Sequence, residues 1–397
     1  MATLWHPPAL RGASHEAGGS AVSWTELFYD LVFVVAIANL GRRFVSEPTP
    51  AHAVEFVALF GMLWWAWASI TFLVDRYESD DPLSRLLAVA QMLGVAGFAA
   101  AVANPADLEA IAVALAVSYT VTRLALIAMY VRVWRHIEVS RPLVGGYLRG
   151  FGTDAALWIV SIVIPSPARY AVWLLAMVIS LATPWLMRRE QARSPLSTSH
   201  LPERFGLFTI LVLGESVTAV VAGLHAEGTH AATFLSAGAA FVVATGLWWV
   251  YFDNFEGSVV RRDPNRRHDW RPTAWIYGHF PLVVSLTLVG DGMAHLIGSD
   301  IHQEHALLLI CGMGFAGSLA AMALILMSTA GGVVASRRRR ATVRMVGALL
   351  ALAVAVGASH LSLPVYLAAL AGLIALQIIF DVIDGARIRR AAPSQAP

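Results

Sequence analysis

The sequence predicts an all-α transmembrane protein of about twelve helices, in two six-helix parallel repeats with a pseudo-two-fold along the membrane normal. Three observations predict it. Hydrophobic residues make up 57% of the 397 positions and charged residues only 14%, against about a quarter charged in an average soluble domain. Apolar stretches of the roughly 20 residues that cross a hydrocarbon core of about 30 Å recur along the chain. Finally, one pattern of acidic and aromatic residues occurs twice, half a chain apart.

The first two dozen residues lack a continuous apolar run and an A-x-A site, so no cleaved signal peptide is expected and 1–24 reads as a tail. Spans follow at 25–44, 53–74, 84–103, 108–131, 147–164 and 168–187, then at 203–224, 232–252, 272–296, 305–328, 342–360 and 363–384. All 28 of the lysine and arginine positions are arginine. All but Arg42, Arg43, Arg169 and the intramembrane Arg123 lie in the tails or in loops after even-numbered spans, which puts both termini in the cytoplasm. The net charge of +2 thus reports orientation rather than nucleic-acid binding. Cys311 is the single cysteine, which excludes an intrachain disulfide and a Cys-rich metal site. His302 and His305 sit in a short loop without further ligands, so neither a zinc site nor another cofactor is expected.

The duplication is read from Glu26-Leu27-Phe28 at the start of span 1 and Asp75-Arg76-Tyr77-Glu78 after span 2. Their counterparts are Glu203-Arg204-Phe205 at span 7 and Asp253-Asn254-Phe255-Glu256 after span 8. The predicted organisation is a first repeat over 25–187, a polar linker over 188–202, a second repeat over 203–384 with an insertion in the Arg-rich loop 261–271, and a tail from 385 to 397. An even number of spans per repeat keeps the halves in one orientation, as in transporters built from parallel repeats. Most tryptophans fall at span ends, as interface residues do.

Asp30, Arg123, Asp154, Glu215, His279, Asp291 and His295 fall inside predicted spans, where an ionised group costs several kcal/mol, to order of magnitude, unless paired, hydrated or neutralised. Glu26 and Asp30 share a helix face at i, i+4 spacing, and Arg204, Leu211 and Glu215 share another. Counting 1.5 Å per residue from the cytoplasmic boundary puts Asp30 at about 9 Å, His279 at about 10 Å, Arg123 at about 13 Å and Glu215 at about 18 Å. Arg123 is then expected to pair with a carboxylate, Asp30 before Glu215. Asp30 and Arg123 read first as ties between helices, Asp291 and His295 as a solvated pair near the outer end of span 9. Glu215, deepest and flanked by the small Gly214 and Ser216, reads as a residue able to hold a proton.

The segments ELFYDLVFVVAIANL (26–40), ERFGLFTILVLGESV (203–217) and GHFPL (278–282) resemble the bacterial low-temperature-requirement A (LtrA) family of polytopic membrane proteins. The resemblance covers about 24–384 and singles out Glu26, Phe28, Asp30, Phe33, Arg123, Glu203, Gly214, Glu215 and His279. It implies a link to growth in the cold but no substrate or reaction. The second half has Leu207 where the first has Asp30, so the repeats do not offer equivalent acidic sites. The expected polar site is therefore Glu215, Asp30, Arg123, His279, Glu26 and Glu203, in a protein expected to be a secondary transporter of a small-molecule or lipid substrate. A membrane enzyme or lipid-handling protein at the cytoplasmic leaflet and a non-catalytic envelope component are the rival readings. No nucleotide loop, serine triad or metal motif favours an enzyme.

Overall fold

The computed structural model describes residues 6–11, 22–79, 81–227, 231–254, 270–297, 305–329 and 333–391. The Arg-rich loop 261–271 and the Phe255-Glu256 end of the repeated motif fall almost wholly outside the described residues, as does His302. Twelve long helices account for nearly all the rest: α1 (Trp24–Ser46), α2 (Pro50–Arg76), α3 (Pro82–Ala103), α4 (Leu108–His136), α5 (Arg141–Ser161), α6 (Ala168–Leu186), α7 (His200–Glu227), α8 (Ala231–Phe252), α9 (Arg271–Ile297), α10 (His305–Ser328), α11 (Val334–Val356) and α12 (Leu363–Ala391). All but α5 and α11 are long and apolar enough to cross a membrane by length and composition.

Each predicted span meets a helix; α5 and α11 begin six and eight residues before spans 147–164 and 342–360, and α12 ends seven residues after span 363–384. Hydropathy marks where a helix is apolar, not where it starts. The early turns of α5 carry Arg141 and Arg149, and those of α11 carry Arg337 to Arg340. On α11 these cations are held by α12: Arg339 and Arg340 bond Asp384, and Arg344 meets Asp381 at 2.6 Å.

The chain forms two compact units, Met1–Arg43 with Val54–Leu207, and Phe44–Ala53 with Phe208–Pro397. In the first, α3 packs on α4, α4 on α5 and α5 on α6, and the indole of Trp65 on α2 donates to Ser180 on α6 at 2.8 Å. In the second, α9 packs on α10, α10 on α11, α11 on α12, and α12 on α8. Small residues set the closest approach there. A Cβ on Gly290 of α9 would stand 2.8 Å from the Ser216 Cα of α7, which leaves no room for any larger residue.

Polar contacts gather at the two ends of the first unit and show that its helices alternate in direction. At one end Arg43 of α1 bonds Glu55 of α2 and the carbonyls of Asn104 and Ala106 between α3 and α4. At the other, Arg76 of α2 donates to the Ser194 carbonyl, Ser140 before α5 bonds Ser194, and Arg132 of α4 reaches Asp81 before α3. The tail is tied in at this end too. Two-residue strands β1 (Ala9–Leu10) and β2 (Tyr77–Glu78) pair antiparallel, and the guanidinium of Arg11 donates to the Val74 carbonyl. Two-residue strands have no periodicity to read, which is why the sequence reads this segment simply as tail.

Asp81 caps α3, accepting the Ser84 N–H at 2.7 Å with Pro82 following in the first turn. Burial raises its carboxyl, but the Ser84 N–H and the Arg132 guanidinium outweigh burial and hold it below the ordinary aspartate value. A depressed folded value contributes stability that is present above the unfolded value of about 3.9 and lost as pH falls through the folded one. Thermal unfolding of the purified protein should therefore separate wild type from Asp81→Asn by about 1 kcal/mol at pH 7, with the difference closing below about pH 4.

Candidate functional site

The ends of α1, α2 and α7 converge on one charged network, all of it within the first unit. Arg204, on the second turn of α7, splits its guanidinium between two carboxylates of α1: one terminal nitrogen lies 2.7 Å from Asp30 Oδ1, the other 3.2 Å from Glu26 Oε2. The i, i+4 spacing of Glu26 and Asp30 puts both on the face that a single planar fork can bridge. The Trp67 indole of α2 donates to the same Asp30 oxygen at 2.7 Å. One turn before Arg204, His200 stands between Glu26 Oε2 at 3.2 Å and Asp75 Oδ1 of α2 at 3.1 Å. Asp75 Oδ2 then accepts the Ser197 N–H at 2.8 Å. Asp30, Asp75, His200 and Arg204 are fully buried, and Glu26 keeps 17% of its side chain exposed. Asp30 Oδ2 is buried and takes no hydrogen bond among the described residues.

Arg123 has a carboxylate partner, but it is Asp154 rather than the expected Asp30. Its Nε lies 3.0 Å from Asp154 Oδ2, and its terminal nitrogens meet Ser69 at 3.3 Å and the Tyr119 hydroxyl one turn back. Asp154 also accepts the Trp158 indole at 2.9 Å and the Ser180 hydroxyl at 3.1 Å. The cause is competition: Arg204 enters from the start of α7 and claims Asp30, and Arg123 turns to the acid on the neighbouring α5. With Tyr119 under its guanidinium at 4.7 Å, Arg123 is the hub of a neutral cluster joining α2, α4, α5 and α6.

Other residues from the predicted site lie elsewhere. Glu203 is exposed on α7, and its neighbour Arg204 is the buried member of the pair. His279 lies in the second unit, buried on α9, with Nδ1 2.7 Å from the Trp275 carbonyl and Nε2 3.0 Å from the Tyr251 hydroxyl. A carbonyl only accepts, so Nδ1 carries the proton and the neutral ring accepts from Tyr251. Glu215 is half-buried on the α7 stretch of the second unit, beside the buried Ser216 that meets α9. Of the residues expected as a solvated pair near the outer end of α9, Asp291 is buried and His295 is exposed. No group of acidic, histidine and cysteine side chains suited to a metal occurs among the described residues.

Sequence reasoning missed Asp75, His200, Trp67 and the role of Arg204. Their signal was present: an Asp-Arg pair closing α2 and a His-x-x-Glu-Arg opening α7 both stand at Arg-rich ends. Read as boundary markers, they were not read as partners.

The Arg123 cluster yields a stability prediction. Asp154→Leu strands a buried guanidinium and should cost about 3–5 kcal/mol, whereas Arg123→Lys, which keeps the charge but not the fork, should cost about 1–3 kcal/mol. Thermal unfolding in detergent reads both, and equal, negligible losses would contradict this arrangement.

Comparison with known proteins agrees with this architecture. An uncharacterized protein of Rhizobium meliloti (strain 1021) is 26% identical over 294 residues, covering 69% of this chain and 70% of its own length. Residues 21–378 match the bacterial low temperature requirement A protein family, a stretch that holds every helix of the first unit and the whole charged network. The chain is a polytopic membrane protein of the LtrA family.

Proposed function

We propose that this protein is a proton-linked secondary transporter of the bacterial inner membrane, with both termini cytoplasmic. Its cargo is a small molecule or a lipid, and its activity supports growth at low temperature. The observation that carries this reading is the Asp30 site: a fully buried carboxylate with one oxygen bonded to Arg204 and Trp67 and the other buried without a donor. Intramembrane acids that face the interior mark ion and proton pathways. Protonated, Asp30 supplies its own donor and releases Arg204 to Glu26 alone; ionised, it draws Arg204 back. A proton thereby shifts a contact between α1 and α7, the kind of two-position element that coupling requires. Glu215, half-buried farther along α7, is proposed as a further acidic residue of functional importance.

The proposed duplication, 25–187 on 203–384, is supported by the parallel order of neighbours in the two units, α3 to α6 and α9 to α12. It is supported again by the fact that the two helices short of the apolar threshold are the fifth of each six.

The test is purified protein in liposomes enclosing a pH-sensitive dye, screened against pools of small solutes and lipids. Substrate-dependent proton movement is expected in wild type and should be lost in a folded, inserted Asp30→Asn variant. Altered lipid species without proton movement would replace this reading with lipid handling, and undiminished flux in Asp30→Asn would remove Asp30 from the pathway.

A further inference from the structure

We infer that His200 is a proton-binding site whose charge latches the linker before α7 onto α1 and α2. The inference stands apart from the transport reading, because it concerns a tie between helix ends rather than the buried Asp30.

It rests on donor counting. The two ring nitrogens of His200 lie 3.1 Å from Asp75 Oδ1 and 3.2 Å from Glu26 Oε2. Ionised carboxylates only accept, and a neutral imidazole has one N–H, so making both bonds requires one proton more than a neutral ring and two carboxylates contain. Imidazole, with a reference value near 6.5 against about 4 for the acids, is where that proton resides. The charged neighbours are Glu26 from α1, Asp75 from α2, Arg204 on its own helix and Arg11 from the N-terminal segment. Two acids thus face the ring directly. Arg204 is engaged by Glu26 and Asp30, and Arg11 donates to the Val74 carbonyl.

The structural consequence falls on the linker. Asp75 holds it with both oxygens, Oδ1 on His200 and Oδ2 on the Ser197 N–H, while the Ser197 hydroxyl accepts the His200 backbone N–H at 3.1 Å. When the ring loses its extra proton, one of its two contacts becomes acceptor against acceptor, and Glu26 and Asp75 face each other without a cation between them. The linker then loosens from α2 while the Arg204 fork still holds α7 to α1. His200 would in this way sense cytoplasmic pH.

Two measurements on the full-length protein test this. In nitrogen-15 spectra of ring-labelled protein, the His200 signals are those missing from His200→Gln. At pH 7 they should both be of the protonated type, and a single unprotonated nitrogen at that pH would overturn the inference. Hydrogen exchange of residues 188–200, taken relative to each peptide's intrinsic rate, should rise about tenfold when the ring titrates to neutral, as loss of a charged hydrogen bond implies. His200→Gln should exchange at the fast level on both sides of that transition. Linker exchange that ignores the titration, or a Gln variant that behaves as wild type, would overturn it.

Discussion

The bond on which the first unit depends is the fork of Arg204. An arginine cannot shed its charge, so once α7 brings it among apolar side chains it must find anions, and the i, i+4 pair Glu26 and Asp30 supplies two at the spacing its planar head spans. That demand fixes the rotation of α1, draws Trp67 of α2 onto the same Asp30 oxygen, and leaves His200 one turn earlier to bridge Glu26 and Asp75. It also explains why the first turns of α7 belong to the first compact unit although the rest of that helix belongs to the second. With Asp30 occupied, Arg123 turns to Asp154 and ties the remaining helices through Ser69, Tyr119, Ser180 and the tryptophans.

Two kinds of buried charge emerge from this division. The Arg123 and Asp154 pair is balanced one to one and its acid is bonded through both oxygens, the mark of a structural tie. The Arg204 network is rich in acids, reaches the outside through Glu26, and contains His200, a histidine whose contacts demand an extra proton. His279 makes the contrast plain: it is equally buried, but a carbonyl and a phenol satisfy it as a neutral ring. What separates the two sites is the count of donors against acceptors, not depth.

Much of this was legible in the sequence, because bilayer crossing demands about 20 apolar residues whatever the partners are. The twelve helices, ten of them long and apolar enough to cross, and the buried state of Asp30 and Arg123 follow from that demand. The early start of α11 does not, since arginine turns held by Asp381 and Asp384 look like a loop until α12 is in place. Pairings were less legible still. Depth along single helices placed Asp30 near Arg123 but carried no information on rotation, and Glu203, singled out by the family resemblance, is exposed while Arg204 is buried. His200 escaped because it stands at the point where composition changes from linker to span, and such residues read as boundaries rather than as sites.

The central claim is that Arg204 and Asp30 act as one unit, and a double-mutant cycle tests it most directly. Thermal unfolding of wild type, Asp30→Asn, Arg204→Gln and the double variant, in one detergent at one pH, gives the coupling energy. The structure predicts that the double variant is more stable than the sum of the single losses implies, by about 1–3 kcal/mol, because each single change strands a buried charge. Losses that add within about 0.5 kcal/mol would mean that the two side chains do not meet in the folded protein.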